Sequence, residues 1–165
     1  MSLIVNESRK ASVGIITISD TRTDETDKSG RTIEKLMQEH NHTVLQKVIV
    51  KDEPEAIKTA IFSFIQSSAE FIITNGGTGI SSRDFTYETV APLFDKEMIG
   101  FGELFRYLSY KQVGTRSILS RATAGTIGST TVFVLPGSTK AVELALNEII
   151  LKEIPHLFQE QQKHS

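Results

Sequence analysis

Two aspartates and a cluster of glycines are the parts of this sequence best suited to chemistry. Asp52 stands in "KDEPE", and Asp84 closes "TNGGTGISSRD" (74–84), where three glycines fall within four positions. A hard cation such as Mg²⁺ takes one or two protein carboxylates and completes its shell with phosphate oxygens and water. A glycine-rich loop offers backbone N–H groups with little side-chain obstruction, which suits a polar or anionic ligand. Each feature also has a plainer use. Asp52 could cap a helix beginning near Pro54, Asp84 could cap a turn or pair with Arg83, and the glycines could serve only a strand-to-helix turn.

Whether these residues meet depends on the elements that carry them. "VGIITI" (13–18), "VLQKVIV" (44–50), "EFIIT" (70–74) and "TVFVL" (131–135) are short β-branched runs bounded by polar or glycine-rich punctuation, and read as strands. Between and after them, Ile33, Leu36 and Met37, then Ile57, Ala60, Ile61 and Phe64, then Val142, Ala145, Leu146 and Ile149 recur at helical spacing. Alternation of this kind builds right-handed crossovers, so the expected fold class is α/β, a three-layer α/β/α sandwich around a mostly parallel sheet. "ILSRATAGTIGSTTVFVL" adds one antiparallel pairing at an edge. A parallel sheet gathers its ligand loops at the carboxyl ends of its strands. Four polar segments share that address: "SDTRT" with Ser19 and Asp20, "KDEPE", "TNGGTG", and "PGST" with Pro136, Gly137 and Ser138, where Ser138 or Thr139 also reads as a helix cap. Phe101, Leu104, Phe105 and Leu108 form another amphipathic stripe, and Arg106, Tyr107 and Tyr110 beside it read as a packing or subunit-contact face. Charge reversal at Arg106 is the first test of that face.

Composition narrows the function. The 165 residues suit one domain, 1–165, and a formal net charge of −2 without a basic block gives no electrostatic reason to expect nucleic acid or an anionic membrane as partner. With no cysteine, disulfides, thiolate nucleophiles and sulfur-ligated metals are excluded together. "MSLIVNESRKAS" places its apolar patch before its basic residues, the reverse of a signal peptide, so the expected location is cytoplasmic. His40, His42, His156 and His164 do not cluster as zinc ligands, and Ser19, Ser120 and Ser138 have no histidine in a neighbouring strand-end loop for a triad. "GTGISS" carries Ser82 where a dinucleotide fingerprint has its third glycine, and follows the third strand rather than the first. A nicotinamide-dependent oxidoreductase is thereby disfavoured, and the Walker A pattern is absent.

In order and spacing, "ISDTRT", "DKSG", "KDE", "TNGGTGISSRDFTYE", "GFGELFRYLSY", "LSRATAG" and "LPGST" resemble the MoaB/MogA family of molybdenum cofactor biosynthesis proteins, which includes the gephyrin G domain. The resemblance spans nearly the whole chain and is nearer the MoaB branch. It implies a MogA-like fold that binds molybdopterin, a pyranopterin dithiolene with a terminal phosphate. It further implies adenylyl transfer from ATP to that phosphate with Mg²⁺, releasing pyrophosphate before molybdate insertion; the alternative is a non-catalytic molybdopterin carrier or scaffold of the same fold. The family's two catalytic aspartates match Asp52 and Asp84, which would also hold or orient the metal. Gly76, Gly77, Thr78 and Gly79 would supply backbone donors, while Ser19, Asp20, Ser120 and the Pro136–Gly137–Ser138 loop would line the pterin and phosphate pocket. A homotrimer or hexamer, and handover of product to a molybdate-inserting enzyme, are implied as well. Asn75 departs from the threonine common at that position of the family.

Overall fold

The structure, a computed structural model, describes residues 9–163. His164 and most of the N-terminal segment considered above lie outside the described residues. Six strands form one sheet in the order β2-β1-β3-β6-β5-β4. β1 (Ser12–Ile18), β2 (Thr43–Val50), β3 (Phe71–Asn75) and β6 (Thr130–Leu135) run parallel, with Ile16 of β1 opposite Thr74 of β3 and Thr74 opposite Val134 of β6.

The near-continuous apolar character of the central strands follows from burial on both faces. Alternation across the pleat divides each run between two cores. Val13, Ile15, Phe71, Ile73, Phe133 and Leu135 face one core with α1 (Lys28–Glu39), while Ile16, Ile18, Ile72, Val132 and Val134 face the other with α2 (Pro54–Gln66). Each such side chain, fully buried, contributes about 1.5–3 kcal/mol from removal of apolar surface from water. The three-layer α/β/α arrangement is therefore as expected.

Four differences from expectation are local. The antiparallel edge holds two pairings, β6 with β5 (Thr123–Ile127) and β5 with β4 (Lys96–Glu97), and a two-residue strand is too short to show a pattern. Short helix α3 (Thr86–Val90) follows the glycine loop, and α4 (Ile99–Val113) follows β4. On α4, Phe101 and Phe105 are buried, but Leu104 is exposed. The polar C-terminus is helical too: α5 (Thr139–Ala145) passes through a π turn at Leu146–Ile150 into α6 (Leu151–Gln162), and Ile154 and Phe158, four residues apart, enter the first core. Arg9 stacks over Phe158 at 3.7 Å and pairs with Glu70 at 2.6 Å.

Arg106, read as part of a packing or subunit-contact face, packs within this chain. Its guanidinium donates to the carbonyls of Ser120 (3.2 Å) and Ala122 (2.9 Å), so reversing its charge would break this chain's own bonds. Among the described residues, no helix is long and apolar enough to cross a membrane.

The start of β1 depends on a neutral histidine. His42 Nδ1 accepts a 3.0 Å hydrogen bond from the Ala11 N–H, and burial, helped by the nearby charge of His40, holds the imidazole pKa below its usual value. The unfolded chain therefore takes up this proton at higher pH than the folded one. The associated stability is complete above about pH 6.5 and is lost as pH falls from there through the depressed folded value. Urea titrations over this range should show the stability decline in wild type and lose that component in His42→Gln.

Candidate active-site cleft

The four parallel strands release their loops at one edge, where those after β1, β3 and β6 line an open cleft of about 550 Å³. Ser19 from the β1 loop, Gly76–Gly79 and Asp84 from the β3 loop, Ser120, and Pro136–Ser138 from the β6 loop form its walls. Asp20 and Asp52 stand beside this wall, joined to each other. The Asp52 N–H donates to Asp20 Oδ1 at 3.0 Å, and Arg83 donates to Asp20 Oδ2 through Nε (3.2 Å) and Nη2 (3.0 Å). Those bonds, the Asp52 N–H first and then Arg83, hold the Asp20 carboxyl below the ordinary carboxylate range.

The capping role open to Asp52 is not taken. Glu53 is the N-cap of α2 and makes no side-chain cap bond. Asp52 is 6% exposed and instead turns Oδ1 to the Phe85 N–H at 3.1 Å, fastening the β2 loop to the end of the glycine loop. Burial first, then the charges of Asp84 and Asp20, raise its pKa above the usual value against the pull of the Phe85 hydrogen bond. Asp84 closes its own turn, Oδ2 accepting from the Ser81 N–H at 2.8 Å, and Arg83 pairs with Asp20 rather than with it. Ser138 is the N-cap of α5, accepting from the Ala141 N–H at 3.1 Å.

The donor set fits a hard cation. Among the described residues, Asp52 Oδ2 and Asp84 Oδ1 are the carboxylate oxygens left without a hydrogen bond on these two side chains. No group of three or more His, Cys, Asp or Glu among the described residues is placed to hold a metal, so most of an octahedral shell would come from substrate oxygens and water.

The glycines answer first to the chain itself. Gly76 has φ +104°, and a Cβ there would lie 2.2 Å from the Ile18 carbonyl oxygen. Gly77 has φ +70°, and its Cβ would meet Thr86 Oγ1 at 2.2 Å and Asp52 Oδ2 at 2.6 Å. Thr86 Oγ1 donates to the Gly76 carbonyl at 2.8 Å, and Arg121 donates to the Gly79 carbonyl at 2.6 Å while pairing with Glu88. The loop is thus held in shape from outside the cleft, and its inner face forms the wall.

Residues 14–156 match the family model described as "Probable molybdopterin binding domain". The chain belongs to the MoaB/MogA family of molybdenum cofactor biosynthesis proteins. Molybdenum cofactor biosynthesis protein B of Bacillus cereus is 50% identical over 145 residues, 87% of this chain and 86% of its own. A crystal structure of a molybdenum cofactor biosynthesis protein B superposes with a TM-score of 0.90 at 47% identity, covering 93% of this chain and 97% of that one. The tungsten cofactor synthesizing protein MoaB from Pyrococcus furiosus gives 0.87 at 39% identity over 94% and 99%.

Within this MoaB/MogA-type cleft, Arg22 and Arg121 went unread in the sequence, and Arg83 was read only as a partner for Asp84. Arg121 sits in "LSRA", where a charged residue beside a loop is a signal for a loop tie. Arg22, which lines the cleft and bonds to Gly137, has its partner 115 positions away, and no local pattern marks such a pair.

Gly77 and Gly128 separate crowding from backbone strain. Both have positive φ, but a Cβ on Gly128 would meet nothing within 4 Å. Gly128→Ala should cost about 1–2 kcal/mol, for the left-handed backbone alone. Gly77→Ala should cost about 1–3 kcal/mol more from overpacking. Thermal unfolding of the two variants against wild type measures the difference.

Proposed function

We propose that the cleft binds molybdopterin and that Asp52 and Asp84 there promote adenylyl transfer to it from ATP, with Mg²⁺. Membership of the family supports molybdopterin binding and a place in molybdenum cofactor biosynthesis. The transfer rests on one observation, the convergence of Asp52 and Asp84 on the glycine loop with one carboxylate oxygen free on each.

In the proposed step, an oxygen of the pterin phosphate forms a bond to the α-phosphorus of ATP, and the α–β bridging bond breaks with its electron pair leaving on pyrophosphate. Two anions must meet in line, so positioning and charge carry the catalysis. Mg²⁺, when bound, would supply the charge that lets them approach. Asp52 Oδ2 and Asp84 Oδ1 would hold it. Backbone N–H groups of Gly77, Thr78 and Gly79 would orient phosphate oxygens, and Ser19, Ser120 and the Pro136–Ser138 loop would seat the pterin. Asp20, tied to Arg83 and to the Asp52 N–H, would set the position of Asp52. The adenylylated pterin would then pass to a molybdate-inserting enzyme, and the chain would act as one cytoplasmic domain.

Anaerobic incubation with molybdopterin, ATP and Mg²⁺ should yield adenylylated pterin and pyrophosphate in wild type, with a loss of roughly a hundredfold or more in Asp52→Asn and Asp84→Asn. Saturable molybdopterin binding without product would leave the second reading, a carrier, which the family model's description as a molybdopterin binding domain supports more directly than transfer. The raised pKa of Asp52 adds a control. A carboxyl whose folded pKa exceeds its unfolded value destabilises the fold once pH rises above the folded value. Asp52→Asn should therefore melt no lower than wild type at neutral pH while losing activity.

An exposed apolar surface supports self-association. Ile99, Tyr107 and Tyr110 on α4 and Ile118 beyond it are exposed, Ile118 at 78%, more apolar surface than a lone helix face usually leaves in water. We propose that they meet further copies of this chain in a trimer or hexamer. Tyr107→Glu combined with Ile118→Glu should lower the mass seen by light scattering. A monomeric wild type, or an unchanged oligomer in the double variant, would contradict this.

A further inference from the structure

We propose that Arg22 is the phosphate-recognition residue of the cleft, and that Asn75 positions it. The inference rests on the reading of the cleft as a molybdopterin and nucleotide site, and names the group that fixes one of their phosphates.

Arg22 is the one cation among the described residues lining the cleft, and the other charged residue there is Asp84. Its guanidinium is held at three points. Nη1 donates to Ser29 Oγ at 2.6 Å and to Asn75 Oδ1 at 3.4 Å, and Nη2 donates to the Gly137 carbonyl at 2.7 Å. Of its five N–H donors, the Nε–H and one on Nη2 have no acceptor among the described residues. Two donors on a fixed planar group suit a phosphate, which guanidinium binds in bidentate fashion.

The charge is only partly compensated within the fold. Asp27, fully buried, lies 3.7 Å from Arg22 Nη1, but its carboxylate is served elsewhere: by the Gly30 N–H at 3.0 Å, Thr17 Oγ1 at 2.8 Å and Lys47 Nζ at 3.4 Å. Arg22 thus carries its positive charge to the β6 side of the cleft, while Asp20 and Asp52 stand on the β1 and β2 side. A ligand phosphate that must avoid those carboxylates finds its cation here.

Asn75 acts through Arg22. Its side chain is wholly buried, with Nδ2 donating to Thr17 Oγ1 at 3.0 Å, which orients Oδ1 toward Ser29 Oγ (2.7 Å) and Arg22. Threonine here is shorter and has no amide to hold both sides of this junction.

The test is anaerobic calorimetric titration of wild type, Arg22→Gln, Arg22→Lys and Asn75→Thr with molybdopterin, dephosphorylated molybdopterin, ATP and adenosine. Wild type should prefer the phosphorylated member of at least one pair, and Arg22→Gln should reduce that preference by roughly ten- to a hundredfold. Arg22→Lys should retain part of it, and Asn75→Thr should lose part of it with Arg22 still present. The pair affected tells whether the pterin phosphate or a nucleotide phosphate is the group bound. Equal losses for phosphorylated and dephosphorylated ligands in Arg22→Gln would make Arg22 only a structural tie and overturn the proposal. So would a phosphate preference that survives the substitution in both pairs. If Arg22→Gln does not fold, the same comparison is read from Arg22→Lys and Asn75→Thr, whose undiminished preference would overturn it equally. A wild type that binds neither pterin form nor ATP would instead bring down the reading of the cleft itself.

Discussion

The cleft depends on one close approach, that of the glycine loop after β3 to the end of β1 and to the Asp52 carboxylate. Hydrogen bonding of β1 to β3 brings the two strand ends side by side, and Gly76 then passes where a Cβ would lie 2.2 Å from the Ile18 carbonyl oxygen. Any side chain would push the loop away from the sheet edge. Moving it would separate Gly77 from Asp52 and release Thr86 from the Gly76 carbonyl, so the wall and the carboxylate behind it would be lost together. Glycine is costly in conformational entropy, and tight contact with the chain's own backbone and side chains is what it permits here.

Around that contact the charges are sorted by side. The β1 and β2 loops carry Asp20 and Asp52, with Arg83 reaching over to neutralise Asp20. The β6 side receives Arg22, anchored on Gly137, Ser29 and Asn75. The one loop after β1 thus turns opposite charges to its two neighbours, Asp20 to the β2 loop and Arg22 to the β6 loop. Fixed groups of this kind need little reorganisation when a charged ligand arrives, unlike water or mobile surface side chains.

The parts legible in the sequence were those that local rules govern. Strands β1, β3 and β6 announce themselves because burial on both faces forces an apolar run, and Ser138 was readable as a cap because capping involves residues three apart. The shared address of the four loops followed from the parallel arrangement alone. What could not be read is non-local. Asp52 looks like the cap of α2 from its neighbours, and only the folded chain brings the Phe85 N–H, 33 positions away, to take its carboxylate. Leu104 fits the stripe of α4 by spacing yet is exposed, because Phe101 and Phe105 fill the space that the helix turns to the core. The C-terminal helix was hidden by its polar composition, although Ile154 and Phe158 carry the spacing that buries it.

Asp52 shows why a site of this kind is held in place by so much apparently structural bonding. Burying a carboxylate next to Asp84 and Asp20 opposes folding, as its raised pKa records, and the single hydrogen bond from Phe85 only partly offsets it. A mobile loop would relieve the strain by turning the group to water. That escape is closed on two sides: the Asp52 N–H is fixed on Asp20, and its carbonyl accepts from Arg83 at 3.3 Å. The backbone is thereby tied to the β1 loop on one side of the carboxylate and to the glycine loop on the other. A cation held there, as proposed, would relieve this field, so the repulsion that opposes folding would favour its binding.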